Sequence, residues 1–326
     1  MVLYRLQMPQ SVLIIGANGR LGRVLASAFA DAGWQVSAHV RREPGGHARP
    51  GVRFVRAALG DPAALAEEAG RADVVVHAAN VPYTRWRRDS MLLAQGAVDT
   101  ARRLSAVLMF PGNVYNFGAH MPPVLEEDTP QEPTARKGRL RVEVEQALRE
   151  AARSGLRVAV LRAGDFFGGP GRGAWFDLMM VKSLRSGRVV YPGRTDVVHA
   201  WAYLHDLAHA FVMVAERRAA LAQFDVLHFP GHGVTGAQMI ECIGAAARRL
   251  GLIDAQTRLQ TAGIPWPALR AGGLVVPMWR EVAELRYLWY APHRLSGERL
   301  AALIGSVPHT PLERAVEQAL RELFQR

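Results

Sequence analysis

A single cysteine, Cys242, in 326 residues excludes an intrachain disulfide framework and any CxxC zinc or redox motif. No uninterrupted apolar run approaches the roughly 18 residues that a membrane-spanning helix requires. The opening segment, MVLYRLQMPQSVLIIGANG, lacks a long apolar core followed by a small-residue cleavage site, so no secretory signal is expected. The expected location is cytoplasmic. Neither the GxSxG elbow of many hydrolases nor the GxxxxGK[ST] loop of ATPases occurs, which removes both classes. Acidic residues are also in deficit: 29 Asp and Glu stand against 40 Lys and Arg, a formal charge of +11. The excess is scattered as single and paired arginines, with no helix-turn-helix, zinc-finger or RNA-recognition signature, and reads as a solvated surface more readily than a nucleic-acid site. With 49% hydrophobic and 21% charged residues, the chain has the composition of a globular protein.

What is present is alternation. SVLIIG is a buried-strand run, followed by RLGRVLASAFADAG, where Leu21, Val24, Leu25, Ala28 and Phe29 recur at helical spacing before Gly33. WQVSAHV and VRFVRAAL read as two further strands, and Asp61–Pro62 as an N-cap and first position of a helix. ADVVVHAA, AVLMFPG and LRVAVLRAG supply three more strands, with helical segments before the last two. Such alternation predicts an α/β fold, a doubly wound parallel (Rossmann) sheet. After Gly164 the rhythm changes to Gly- and aromatic-rich segments and then mainly helices, so a smaller, mainly helical C-terminal substrate domain is expected. The expected division is a dinucleotide-binding domain of residues 1–164 plus 196–231, and a substrate or lid domain of residues 165–195 plus 232–326.

Between the first strand and first helix stands GANGRLG, with Gly16, Gly19 and Gly22. There a dinucleotide pyrophosphate would meet backbone N–H groups and the positive end of the helix dipole. Asn18, Arg20 and Leu21 share that loop, and Ala78 and Ala79 end the fourth strand beside it. At the end of the second strand, where a carboxylate would hold the ribose of NAD, the sequence offers Arg41 and Arg42, with no acid before Glu43. Two guanidiniums suit a 2′-phosphate, so NADP is expected ahead of NAD; a surface arginine pair is the plainer alternative.

The GxxGxxG spacing, the HAA strand end, GNVYNFG, LRAGDFFG and YLHDLAHA together resemble the extended short-chain dehydrogenase/reductase superfamily, in its epimerase/dehydratase branch, over about Ser11–Gly231. The resemblance implies a nicotinamide cofactor on the Rossmann sheet and a substrate held against a smaller C-terminal domain. It also implies a Ser or Thr after the fifth strand and a Tyr-x-x-x-Lys pair on the next helix, and there the match fails. PGNVYNFG puts Pro111 in the Ser position. KGRLRVEVEQAL keeps Gly138, Glu145 and Leu148 of the family pattern, which puts Lys137 at the Tyr position and Arg141 at the Lys position. A two-residue shift gives Ala135 and Arg139, again without a tyrosine. An Asp that the family places after the third strand is replaced by Ala57 or Ala58.

Arg141 retains a cation and donors for ribose hydroxyls. Lys137, one turn away, is a candidate base, an anion clamp together with Arg141, or a solvated surface charge. Tyr115 is a candidate proton donor or a packing residue. Asn113 and Tyr83 are candidate substrate contacts at the sheet's C-terminal edge, where Arg85 and Trp86 follow. His205 and His209 in HDLAH imitate zinc spacing, with His199 as a conceivable third ligand, but Asp206 also reads as a helix cap and no metal is expected. The expected function is an NADP-binding, epimerase/dehydratase-like oxidoreductase with a non-standard acid/base group, acting on a small carbonyl, sugar-nucleotide or anionic substrate. The alternative is a catalytically silent NADP(H)-binding regulatory protein. The partners expected are a small molecule and at most a second copy in a homodimer, with no nucleic acid and no membrane.

Overall fold

The computed structural model describes residues 9–42 and 50–324. Glu43, the first acid after the arginine pair, lies outside them. The first half of the chain runs β1 (Ser11–Ile15), α1 (Arg20–Asp31), β2 (Gln35–His39), β3 (Val52–Val55), α2 (Pro62–Ala69), β4 (Val74–His77), α3 (Trp86–Arg103), β5 (Val107–Gly112), β6 (Val124–Leu125) and α4 (Arg136–Arg153). The second half runs β7 (Val158–Arg162), β8 (Asp165–Phe167), β9 (Arg188–Val190), β10 (Val198–Tyr203), α5 (Leu204–Glu216), β11 (Phe224–His228), β12 (His232–Thr235) and α6 (Gly236–Arg249). It ends with β13 (Gln260–Ala262), α7 (Trp266–Gly272), α8 (Pro277–Ala283), β14 (Arg294–Leu295), α9 (Glu298–Ile304) and α10 (Leu312–Phe324).

Seven strands pair in the order β11-β7-β5-β4-β1-β2-β3, every pair parallel. The order reverses between β1 and β4, which opens a crevice at the carboxyl ends of those strands. Helices cover both faces because the strands are apolar on both sides: Val12, Ile14 and Val76 pack with α1 and α5, and Leu13, Ile15 and Val75 with α2, α3 and α4. Asp61 caps α2 by accepting from Ala64 N at 3.1 Å, with Pro62 at the first position.

The third strand is shorter than its apolar run suggests. The Glu68 carboxylate, reaching from α2, accepts from the amides of Arg56 (2.9 Å) and Ala57 (2.6 Å), and so ends the ladder at Val55. Those two amide bonds hold the Glu68 carboxyl below its ordinary value.

From residue 165 onward most of the chain packs into a second core, rich in aromatic rings, around Phe167, Phe176, Trp201 and Trp289, to which Trp86, Val114, Tyr115, Phe117, Met121 and Leu125 of the first half also belong. It contains the small sheet β12-β10-β8, the parallel pairs β9–β13 and β6–β14, and helices α6 and α10 packed together. Within residues 196–231, β11 and α5 join the large sheet and its covering layer, whereas β10 pairs with β8 and β12.

Candidate active site

The chain leaves β1 through Gly16, whose φ of +86° is left-handed. A Cβ at Gly16 would stand 2.5 Å from Ala79 Cα, and one at Gly22 would stand 2.3 Å from the Gly16 carbonyl. Glycine is thus required at both ends of the loop for close backbone approach. Gly19 differs: a Cβ there would meet only the Gly16 carbonyl, at 3.2 Å. Gly19 is the N-cap of α1, and no side chain caps that helix. Its first-turn amides are therefore free to receive an anion, reinforced by the helix dipole. Asn18 donates to the Arg42 carbonyl at 2.7 Å, tying this loop to the end of β2 where Arg41 and Arg42 are exposed. Leu21 is buried beneath α1.

Arg20 is committed elsewhere. Its guanidinium donates to the Gly168 carbonyl (2.7 Å) and pairs with Asp177 (2.9 Å), stapling α1 to the second core. Burial lowers its pKa, against the opposing charges of Asp177 and Glu322.

On α4 the sequence placed Lys137 and Arg141 as a possible joint clamp; the structure sends them to different partners. Gly138 lets α4 approach the loop after β5 so closely that a Cβ would lie 2.3 Å from the Tyr115 carbonyl. Lys137 is only 1% exposed, stands 5.0 Å from the centre of the Tyr83 ring, and bonds Glu281 of α8 and Glu284 just beyond it. Arg136 bonds the same two carboxylates. Burial by itself would raise the Glu281 pKa; the Lys137 hydrogen bond and the charges of Lys137, Arg136 and Arg280 together bring it below the ordinary value. Lys137 therefore pins α8 over α4.

Arg141 has no such partner. Its guanidinium lies 4.6 Å from the centre of the Trp86 ring and 5.4 Å from that of Phe110, and its Nε is buried without a hydrogen bond. Burial lowers its pKa, opposed by Tyr115, Glu145 and Tyr83. Among the described residues it forms no ion pair. It lines a small pocket, partly open to solvent, with His77, Ala79, Asn80, Trp86 and Phe110. Ala79, against which Gly16 turns, is the residue this pocket shares with the surroundings of the glycine loop. His77 stays neutral there: burial, then the Arg141 charge, lower its pKa to about 3.

Beside this pocket the hydroxyls of Tyr83 and Tyr115 share a hydrogen bond of 3.0 Å, and Trp86 packs against both rings. Burial pushes the Tyr83 hydroxyl up to about 12 and holds that of Tyr115 well above its usual value. The Asn113 side chain is occupied in accepting from the Tyr115 amide at 3.0 Å.

Several residues at this edge escaped the sequence reading. Arg162, fully buried at the end of β7, pairs with Glu145 of α4 (2.7 Å) and donates to the Asn113 carbonyl (2.5 Å). Asp165 receives His199 Nε2 at 3.0 Å, while His199 Nδ1 faces the Leu288 carbonyl at 3.2 Å and the ring stacks on Trp289. The Asp165 charge bears on Tyr83, Tyr115 and Tyr287 alike. Arg162 and Asp165 both stand in LRAGDFFG, but their partners do not. His199 is thus taken up by Asp165, and His205 binds Glu322 at 2.8 Å. No group of three potential metal ligands occurs among the described residues. Asp206 is not a helix cap: it accepts from the Thr310 amide (2.6 Å) and hydroxyl (2.7 Å), fixing the loop before α10.

Comparison with known proteins agrees with this fold. Residues 12–227 match the NAD dependent epimerase/dehydratase family, and the chain belongs to that family. A nicotinamide dinucleotide is accordingly the cofactor class of this family. The chain is 32% identical over 176 residues to the dTDP-6-deoxy-L-talose 4-dehydrogenase (NAD(P)(+)) of Kitasatospora kifunensis, covering 49% of this chain and 54% of that one. It thus spans about half the length of that curated relative. Among solved structures, the Bordetella bronchiseptica enzyme WbmH in complex with NAD+ has a TM-score of 0.73 at 17% identity, over 98% of this chain and 99% of that one. The UDP-Glc/GlcNAc 4-epimerase of Campylobacter jejuni gives 0.73 at 14%, over 97% and 100%. At such identities these two show the shared fold. No helix among the described residues is long and apolar enough to cross a membrane.

Proposed function

We propose that the protein is an NADP(H)-binding, epimerase/dehydratase-type oxidoreductase acting on a nucleotide-linked sugar or related carbonyl compound, with a non-standard acid/base arrangement. The carrying observation is the unpaired Arg141 guanidinium beside Trp86 and Phe110, in a pocket whose Ala79 also abuts Gly16 of the glycine loop. Bound in that crevice, the nicotinamide supplies a hydride or takes one up. The first-turn amides of α1 hold the pyrophosphate, Arg41 and Arg42 the 2′-phosphate, and Arg141 the ribose hydroxyls, in place of a lysine. Ala78 and Ala79, having no bulk, let the dinucleotide pass over β4. Tyr115, bonded to Tyr83, is the hydroxyl placed to hand a proton to substrate, with Asn113 fixing its loop. Lys137 in this reading is a positioning residue, holding α8 over the site. The name of the partial relative motivates the sugar-nucleotide class.

The second reading, a silent NADP(H)-binding regulator, has its own support. A tyrosine held well above its ordinary pKa is poorly matched to acid/base work near neutrality, and Lys137 is saturated by two carboxylates. One pair of experiments separates the readings. Titration with NADPH and NADH, followed by single-turnover hydride transfer to dTDP- and UDP-4-keto sugars, gives binding with transfer for the enzyme and binding without transfer for the regulator. Absence of dinucleotide binding overturns both.

A further inference from the structure

Helices α7 and α8 form a hairpin whose turn is the most apolar exposed part of the described chain. Leu274 is 90% exposed, Val275 84% and Trp279 45%, with Val276 and Met278 open beside them. The turn is ordered by its own backbone: Leu274 N donates to the Ala271 carbonyl, Val275 and Val276 N to that of Gly272, and Trp279 N to that of Val276. Its shape is thus set before any partner arrives. An apolar cluster of this kind on an otherwise charged surface marks a contact site.

Charge says which kind. From Ala255 to Arg280 the sequence contains no Asp or Glu but has Arg258, Arg270 and Arg280. The backbones of Arg270 and Arg280 both pass close to Gly273 at the base of the turn, where a Cβ would lie 2.9 Å from Arg280 N and 3.2 Å from the Arg270 carbonyl. Both side chains are exposed. The nearest acid in sequence, Glu281, is held by Lys137 and Arg136, and the 58% exposed Arg280 side chain also reaches it, with Nε 3.6 Å from the carboxylate. A narrow apolar tip with an indole and an arginine collar matches the boundary between acyl chains and anionic headgroups. A second copy matches it less well, because it brings the same collar and the same +11 formal charge.

We propose that the α7–α8 tip, Leu274–Trp279, docks this protein on an anionic lipid surface. The contact is superficial, since no described helix spans a bilayer. The sequence expectation of no membrane partner rested on the lack of a spanning run and does not bear on such a contact. The proposal is independent of the catalytic reading: a protein without turnover carries the same tip.

The test uses full-length protein with vesicles of phosphatidylcholine mixed with phosphatidylglycerol, against phosphatidylcholine alone. Co-sedimentation should occur with the mixed vesicles and fall with added salt. A blue shift with quenching by brominated lipid should be lost in Trp279→Phe. The double change Leu274→Glu with Val275→Glu should weaken binding by more than about tenfold, and Arg270→Gln or Arg280→Gln by roughly fivefold each. These positions are exposed, so unchanged melting temperature and dinucleotide affinity will show that the fold persists. Failure to bind mixed vesicles, or equal binding to both compositions, overturns the proposal. So does a concentration-dependent dimer in sedimentation velocity that the tip changes abolish, which would assign the tip to a second copy.

Discussion

Lys137 and Arg141 lie one turn apart on α4, and their charges meet opposite surroundings. The Lys137 ammonium is enclosed by Glu281 and Glu284, whereas the Arg141 guanidinium faces a pocket beside the rings of Trp86 and Phe110 and forms no ion pair among the described residues. The first belongs to the closure of the second core over the sheet; the second is available to a ligand. This separation predicts that the two substitutions act on different observables.

Lys137→Ala leaves Glu281 buried without its main partner. Breaking a buried pair from one side costs about 3–5 kcal/mol, read as a fall in the urea midpoint at neutral pH. Lys137→Met in combination with Glu281→Gln should recover much of that loss. The Glu281 pKa is depressed in the folded state, so the stability from this pair is present above the ordinary carboxylate value of 4.5 and is lost as pH falls through the lower folded value.

Arg141→Ala should change the melting temperature little, because no ion-pair partner among the described residues is deserted and only the contacts with the Trp86 and Phe110 rings are lost. It should weaken dinucleotide binding by about 1–3 kcal/mol, the cost of one or two charge-assisted contacts. Equal affinity by calorimetric titration would remove Arg141 from the cofactor site.

The arginine pair predicts cofactor choice. Arg41→Ala with Arg42→Ala should lower NADPH affinity by roughly 1.5–3 kcal/mol per lost charged bond and leave NADH affinity almost untouched. An unchanged ratio of the two affinities would show both residues to be surface charges only.

Within the glycine loop, Gly22→Ala forces a Cβ to 2.3 Å from the Gly16 carbonyl, whereas Gly19→Ala meets that oxygen at 3.2 Å. The first should destabilise the fold itself. The second should preserve the melting temperature closely while sharply reducing dinucleotide binding, since the methyl group enters the space in front of the α1 amides.

Four buried histidines predict acid lability. Burial lowers His77, His228 and His293 to about 3 and His232 to about 4. Their folded values lie below the ordinary 6.5, so the unfolded chain binds more protons across that interval. Each contributes stability present above pH 6.5 and lost toward its folded value, at about 1.4 kcal/mol per pH unit. Melting temperature should therefore fall steeply between pH 6 and 4, and less steeply in His77→Phe.

The sheet was legible because its strands are short apolar runs that alternate with amphipathic helices, and the loop because Gly16–Gly22 sits at their junction. The end of β3 was not, since it depends on a Glu68 carboxylate arriving from α2. Lys137 could be placed on α4 from periodicity, but its partner Glu281 stands 144 residues away and carries no local signal. His199 was visible, and its pairing with Asp165 was not: β8 and β10 join in a small sheet that the helical patterning after Gly164 concealed. Asp206 looked like a cap because it opens α5, yet its side chain turns to Thr310 across the fold.

The most direct test of the account is a crystal structure with NADPH bound. The account predicts the pyrophosphate against the first-turn amides of α1, the 2′-phosphate beside Arg41 and Arg42, and the nicotinamide ribose within hydrogen-bond distance of the Arg141 guanidinium. A dinucleotide whose ribose lies away from Arg141, or a crevice that stays empty at saturating NADPH, would contradict it.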